Sequence, residues 1–118
     1  MSNNGSIEVS PTAVATIAAE AVSECYGVVG MAPRTAQEAI LNAIHRPPAT
    51  KGIRVDLRPD SVVVDLHVII EYGTRIVTVA DNVIDAVRFR LEQALGTSAL
   101  RVNVYVQDVR VGTRQPGA

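Results

Sequence analysis

The run VVVDLHVIIEYG, residues 62–73, is the most informative part of this chain. Apolar residues fill its even positions, whereas its odd positions include Asp65, His67 and Glu71. Because successive side chains of a strand point to opposite faces, this pattern predicts a sheet with one buried face and one face in water. A sheet buried on one side raises the question of what, if anything, covers the polar, odd-numbered face.

Two further alternating stretches predict the neighbours of this strand. Residues 53–58 alternate apolar and polar side chains, and Pro59-Asp60-Ser61 has the composition of a turn, so the two stretches form an antiparallel hairpin. Residues 100–111 predict a last strand, whose phase slips near Gln107 and Asp108 as a β-bulge would cause. Residues 7–9 are a short strand candidate at the start of the chain.

Two amphipathic helices are predicted on the apolar side of the sheet. Ser10 and Pro11 favour the start of the first, since Ser is a common N-cap and Pro suits the first helical position, and Gly27 is expected to end it. Thr78 is the expected N-cap of the second, which ends before Gly96. A weaker helix is predicted over residues 35–44, bounded by prolines on both sides.

The elements follow the order β-α-(short α)-β-β-α-β. This order predicts an α+β fold, a two-layer sandwich in which two main helices lie on one face of a mixed sheet of three to four strands. One domain is expected over residues 6–111, with flexible tails at 1–5 and 112–118. The side chains of the short link Val28-Val29 are expected to be buried in the core. The other predicted core residues are Val14, Ile17, Val22, Leu57, Val64, Leu66, Val68, Ile70, Val83, Val87, Leu91, Val102 and Val104, with Tyr72 also on the apolar face.

Composition excludes several classes of protein. The chain has 118 residues with 11 Lys plus Arg against 12 Asp plus Glu, a net charge of -1. This balance argues against a dedicated surface for nucleic acid or anionic lipid. Cys25 is the only cysteine, so an intrachain disulfide cannot form. With no apolar run of membrane-spanning length and no secretory signal in the N-terminal residues, we expect a cytoplasmic protein.

The residues suitable for catalysis fit simpler interpretations. His67 with Asp65 could act as a general base, but an open sheet face gives a reaction little shelter from water, and polar pairing with Arg54, Arg58 or Tyr105 explains them as well. Cys25 falls on the apolar side of the first helix and behaves as a small hydrophobe. The two histidines lack the spacing of a metal site. The residues therefore predict no enzyme activity, no cofactor, no metal and no small-molecule substrate.

Two binding interpretations stay open. Residues Gly27 to Gly30 match the GXXG loop with which KH domains clamp a nucleic-acid backbone, although only Arg34 lies nearby and the chain has few aromatic residues for stacking. The second interpretation is a docking surface for another protein or another copy of the chain, on a face where both signs of charge suit selective contacts. The last strand, if it lies at the sheet edge, also offers backbone groups for strand addition. The residues proposed for this docking face are Arg54, Arg58, Asp65, His67, Arg101 and Tyr105.

Four stretches together carry a family resemblance: SIEVSPTAVATIAAEAV (6–22), YGVVGM (26–31), KGIRVDLRPDSVVVDLHVIIEYG (51–73) and ALRVNVYVQDV (99–109). From about residue 7 to residue 111 the chain resembles the alkaline shock protein family. The resemblance implies a non-enzymatic, cytoplasmic protein of cell-envelope homeostasis and alkaline or general stress. It also implies location at the inner side of the membrane through a small membrane-anchored partner, and self-assembly. Residues 32–50 depart from the family pattern, being longer and richer in proline than the usual connection, which leaves the identity of the partner open.

Overall fold

β3 (Val62–Glu71) is the central strand of a four-stranded mixed sheet. Along one edge it pairs in parallel with β4 (Leu100–Arg110) over its whole length. Its other edge carries two antiparallel strands placed end to end, β2 (Ile53–Leu57) beside residues 62–66 and β1 (Val28–Met31) beside residues 68–70. The computed structural model describes residues 5–32 and 51–111, so the helix predicted over 35–44, the tail predicted over 112–118 and all of the tail predicted over 1–5 except Gly5 lie outside the described residues.

Two helices cover the even-numbered face of this sheet, as predicted. α1 (Pro11–Ser23) begins as its sequence indicates, since the backbone N–H of Ala13 donates to the Ser10 side-chain oxygen at 3.1 Å. α2 (Ile76–Leu95) connects β3 to its parallel neighbour β4 and ends at Gly96, whose φ of +73° is the left-handed conformation expected of a helix C-cap. The α+β two-layer arrangement with a mixed sheet is therefore confirmed.

The core lies between the helices and the even face of β3. Leu66 and Ile70 are fully buried at its centre, and Leu91 of α2 packs against them in the same cluster. Ten of the thirteen core residues predicted from the sequence are buried, and Ile17 and Val104 are partly buried at its margin. The buried residues of the cluster are Val14, Ala15, Ala18, Ala21, Val22, Ile53, Val64, Leu66, Val68, Ile70, Val79, Val83, Val87, Leu91, Leu100 and Val102.

The predicted bulge in the last strand is also present. Val68 is opposite Val106, but Ile69 is opposite Asp108, so Gln107 is the extra residue. The bulge shifts the phase of β4 by one residue, so its polar residues beyond this point, such as Asp108, stay on the polar face beside the odd-numbered residues of β3. Ile69 is nevertheless buried on that face, where its side chain lies beside Gly30, which leaves room for it.

Three apolar residues expected in the core are exposed instead. Leu57, at the end of β2, is 40% exposed, and Tyr72, just beyond β3, is 71% exposed. Val29, in the link expected to tuck into the core, is 41% exposed at the irregular register of β1, whereas Val28 packs against the core. The alternation of apolar and polar residues assigns each side chain to a face of the sheet. It does not show how far along each strand the helices pack over that face.

Three element boundaries also differ from the sequence prediction. Residues 7–9 form no strand and are exposed. α1 ends at Ser23 rather than near Gly27, which instead has a φ of +90° at the entry to β1. α2 begins at Ile76 with Arg75 at the N-cap, so Thr78 lies inside the first turn. A tight turn follows β3, in which the Thr74 hydroxyl donates to the Glu71 carbonyl at 2.8 Å. This turn lets α2 start earlier than the expected N-cap Thr78 suggests.

Candidate docking face

The polar face is the side of the sheet opposite the helices. The strand register aligns Arg54, Asp65 and Asn103 in one row across β2, β3 and β4, and His67 with Tyr105 in the next row. Arg101 is opposite Val63, and Arg58 follows β2, where its backbone N–H bonds the Ser61 carbonyl at 2.9 Å. The six residues proposed for docking therefore share one face, with Arg54, Arg58 and Arg101 exposed.

Asp65 lies at the centre of the polar face, where its carboxylate is held by Asn103. The Asn103 side-chain amide donates to Asp65 Oδ1 at 2.9 Å, and both residues are partly buried. The sequence had suggested Arg54 or Arg58 as its neighbour, and Arg54 is indeed opposite Asp65 in the register, whereas Arg58 pairs with Asp56 at 3.0 Å. Asn103 was missed because its place beside Asp65 depends on the parallel pairing of β3 with β4, and alternation does not indicate which strands are neighbours.

His67 is fixed by the main chain and by an aromatic neighbour. Its Nδ1 lies 3.1 Å from the Gly52 carbonyl oxygen, and because a carbonyl only accepts, this nitrogen carries a hydrogen. Its ring stacks on Tyr105 with centroids 5.0 Å apart and an interplanar angle of 20°. Such aromatic pairs contribute roughly 0.5–1.5 kcal/mol beyond area burial. The main chain, rather than Asp65, supplies the hydrogen bond that orients the imidazole.

A shallow depression of about 610 Å³ opens at one end of the polar face. Arg58, Asp65, Arg101 and Tyr105 line it, whereas Arg54 and His67 lie on the same face outside it. The sequence did not identify its other walls, because the β2–β3 turn and the loop after α2 meet there only in the folded chain. Those further lining residues are Ser61, Val63, Ser98, Ala99, Leu100 and Asn103.

The charges of this face are of both signs and partly available to a partner. Asp56 and Asp65 have partners within the chain, Arg58 and Asn103 respectively. Within residues 5–32 and 51–111, no carboxylate lies within 4.0 Å of the Arg101 guanidinium. The exposed Arg101 guanidinium and the exposed Tyr105 ring line the same depression, and both residue types are enriched in protein interfaces.

Cys25 lies on the helical side of the molecule, away from the polar face. Its thiol donates to the Ala21 carbonyl at 3.4 Å and packs against the core. Burial, and to a lesser extent the negative charge of Glu24, raise the pKa of the thiol. The protonated thiol is therefore favoured, which agrees with its interpretation as a small buried hydrophobe. Among the described residues, His, Cys, Asp and Glu form no group of three that could hold a metal ion.

The stretch Gly27 to Gly30 does not form the open loop that a KH-type clamp requires. Val28 to Met31 is β1, paired antiparallel with β3, and the Gly27 carbonyl accepts from the Glu71 N–H at 2.8 Å. Gly27 is also needed for packing, since a Cβ there would lie 2.8 Å from a Val79 methyl carbon. The backbone groups expected to meet a phosphate are thus engaged in the sheet.

Comparison with known proteins identifies the family. The chain matches, over residues 1–111, the alkaline shock protein 23 family, described as having a cell envelope-related function. It is 33% identical over 108 residues to the uncharacterized protein YloU of Bacillus subtilis, covering 91% of this chain and 90% of YloU. It is 35% identical over 109 residues to the uncharacterized protein Spy1614 of Streptococcus pyogenes, covering 92% of this chain and 90% of that protein. This chain therefore belongs to the alkaline shock protein 23 family, as the resemblance of its sequence motifs indicated.

Solved structures with a similar arrangement are far more distant in sequence. Two variants of the MamM CTD align with TM-scores of 0.47 and 0.48 at 15% and 16% identity, each covering 82% of this chain and 93% and 95% of the MamM chains. No helix among the described residues is both long and apolar enough to cross a membrane.

Proposed function

We propose that this chain is a non-enzymatic adaptor of the cell envelope that binds other proteins through its polar face. The observation that supports this most directly is the depression at the end of that face, where the exposed Arg101 and Tyr105 flank the fixed carboxylate of Asp65. Membership of a family with a cell envelope-related function supports this cellular setting.

The contacts within the face favour docking over catalysis. The Asp65 carboxylate is oriented by Asn103 and the His67 ring by Gly52 and Tyr105, so these groups form a pre-ordered surface. Pre-ordering lowers the entropy lost on association, because the side chains already hold their bound positions. A partner with an acidic group for Arg101 and an apolar or aromatic group for Tyr105 would match this surface.

The proposed partner is a small membrane-anchored protein, which would hold the adaptor in the cytoplasm at the inner side of the membrane. Alkaline or general stress is the proposed condition under which this adaptor acts. The cell envelope-related function of the family supports a partner in the membrane. The partner class also explains how a chain without a spanning helix in its described residues could serve the envelope.

Membrane fractionation of the native cells tests the proposal. We expect the protein to sediment with membranes and to be released by a mild detergent together with an integral membrane protein. Arg101→Glu should reduce the sedimenting fraction at least about tenfold, since it reverses a charge at the contact. Arg75→Glu is the matched control, because it makes the same charge change at an exposed site at the start of α2. Equal sedimentation of the two variants, or a protein that stays entirely in the soluble fraction, would refute the proposal.

A further inference from the structure

The outer edge of β4 has hydrogen-bonding groups that point away from the sheet. In a parallel ladder, alternate residues of a strand bond to a given neighbour. The Ala99 carbonyl accepts from the Val62 N–H at 2.9 Å and the Arg110 carbonyl from the Tyr72 N–H at 2.7 Å, so both face β3. Counting from Ala99 to the bulge, the backbone groups of Val102, Val104 and Val106 therefore point outward. Within residues 5–32 and 51–111, no strand pairs with this edge.

Both ends of this edge are closed by side chains. At the first end, the Arg88 guanidinium donates to the Leu100 carbonyl and also pairs with Glu92 at 3.0 Å. At the other end, the Val109 N–H donates to the Asp108 carboxylate at 2.8 Å. Such covering side chains limit uncontrolled pairing of edge strands. They leave an uncharged stretch, residues 102–107, on which a second strand could add.

The outward backbone groups of residues 102–107 are arranged symmetrically about Val104, as pairing with a second copy of the chain requires. We propose that two copies of this chain pair antiparallel through β4 about a two-fold axis at Val104. This register places Val104 opposite the partner's Val104 and Val102 opposite the partner's Val106, so every outward backbone group of the stretch is paired. Moving the axis to residue 103 or 105 would set one of the three valines against Leu100, whose carbonyl is occupied, or against the inward-facing Asp108.

Charge complementarity supports the same register. Leu100, four residues before the axis, comes opposite the partner's Asp108, four residues after it. The Arg88 guanidinium, held at the Leu100 carbonyl, then lies against the partner's Asp108 carboxylate, and the two-fold axis repeats this contact at the other end. Reciprocal contacts of this kind are the signature of an isologous dimer.

The pairing would join two sheets into one and align their polar faces side by side. Two docking depressions would then lie on one continuous surface, which raises the apparent affinity for a partner clustered in a membrane. The inference rests on the proposed function, since it names a second copy of the chain as one partner, but it concerns the edge of the sheet rather than the polar face.

Sedimentation equilibrium of the full chain tests the pairing. Val106→Pro removes an outward N–H and its two-fold mate, whereas Val106→Ala shortens the same side chain and keeps the N–H. We expect the proline variant to dimerise roughly tenfold or more weakly than the alanine variant. Circular dichroism should show that both are folded, since proline is tolerated on an edge strand when its N–H is not part of the ladder. A chain that is monomeric at all concentrations, or equal dimerisation of the two variants, would overturn the inference.

Cysteine cross-linking tests the register without a proline. In a Cys25→Ala background, Val104→Cys places two sulfurs across the axis, where hydrogen-bonded strand partners have Cα atoms about 5.5 Å apart, a distance suited to a disulfide. Val106→Cys is the matched control, because its two copies lie about 14 Å apart along the strands. We expect rapid oxidation to a reducible dimer for the first and not for the second. Equal cross-linking would overturn the register.

These outcomes separate the two proposals. In one outcome the dimer depends on the β4 edge while Arg101→Glu leaves membrane sedimentation unchanged. That result would refute the polar-face adaptor and leave the pairing intact. A monomer that sediments with membranes and loses this ability in Val106→Pro would assign the edge to a different protein and overturn self-pairing.

Discussion

Replacement of Leu66 by alanine is the sharpest test of how the two layers are held together. Leu66 is fully buried in the middle of β3, between Ile53 on one neighbouring strand and Val104 on the other, beneath the helices. Because hydrogen bonds on both edges of β3 hold its backbone in place, the surroundings cannot collapse into the space left by the side chain. Leu→Ala changes at such sites cost about 3–5 kcal/mol of unfolding free energy.

Leu57→Ala supplies the matched control, since it is the same chemical change on the same sheet. Leu57 is 40% exposed, and full burial of a leucine contributes about 1.5–3 kcal/mol, so its partial burial predicts a loss of roughly 1–2 kcal/mol. A well-packed site should therefore cost at least about 1 kcal/mol more than this one.

Urea unfolding followed by circular dichroism measures both variants, since the chain has no tryptophan for fluorescence. With an m-value near 1.5 kcal/mol per molar, a loss of about 3 kcal/mol lowers the urea midpoint by about 2 M. Equal midpoints for Leu66→Ala and Leu57→Ala at one protein concentration would refute the assignment of the even face to the core.

Three further predictions concern the backbone and the thiol. Gly27→Ala should destabilise the fold by more than Gly96→Ala in the same urea assay, because both glycines have positive φ but only the first has a neighbour, Val79, in the path of a Cβ; equal losses would contradict the close packing. Ser10→Ala should lower the free energy of unfolding by about 0.5–2 kcal/mol through loss of the N-cap, which a thermal melt records as a lower midpoint; an unchanged midpoint would mean that the cap is not formed in solution. Cys25 should react more slowly with a thiol reagent at pH 8 in the folded protein than in urea, because its raised pKa and burial both reduce the exposed thiolate. Since the folded pKa is raised, the contribution of this thiol to stability is present below the unfolded pKa and lost as the pH rises through the folded one; a Cys25→Ala variant with the same alkaline loss of stability would contradict this assignment.

The features that the sequence predicted correctly are those with local causes. The start of α1 depends on the Ser10 hydroxyl, which reaches a backbone N–H three residues away. The hairpin of β2 and β3 depends on alternation on both sides of a short polar turn, and the bulge at Gln107 on a visible change of phase. In each case the residues that cause the feature lie within a few positions of one another.

The predictions that failed depend on where one layer ends over another. Leu57 and Tyr72 have the alternation of core residues, yet both lie at strand ends where the helices no longer cover the sheet. Thr78 is a good N-cap residue, yet the turn after β3 places the N-cap of α2 at Arg75, three residues earlier. Propensity and periodicity describe each segment alone and cannot locate these boundaries.

Side-chain alternation has a fixed period of two, so the order of the residues is enough to place Asp65 and His67 together on the polar side of β3. Their neighbours are fixed by the packing of distant elements, and of these neighbours the sequence had suggested Tyr105 but not Asn103. The parallel docking of β4 beside β3 brings Asn103 to Asp65 and Tyr105 to His67, across 38 positions in each case. The same docking leaves the outer groups of Val102, Val104 and Val106 at the edge of the sheet. Contacts between residues so far apart are fixed by how the helices and strands pack, which no short stretch of the chain encodes.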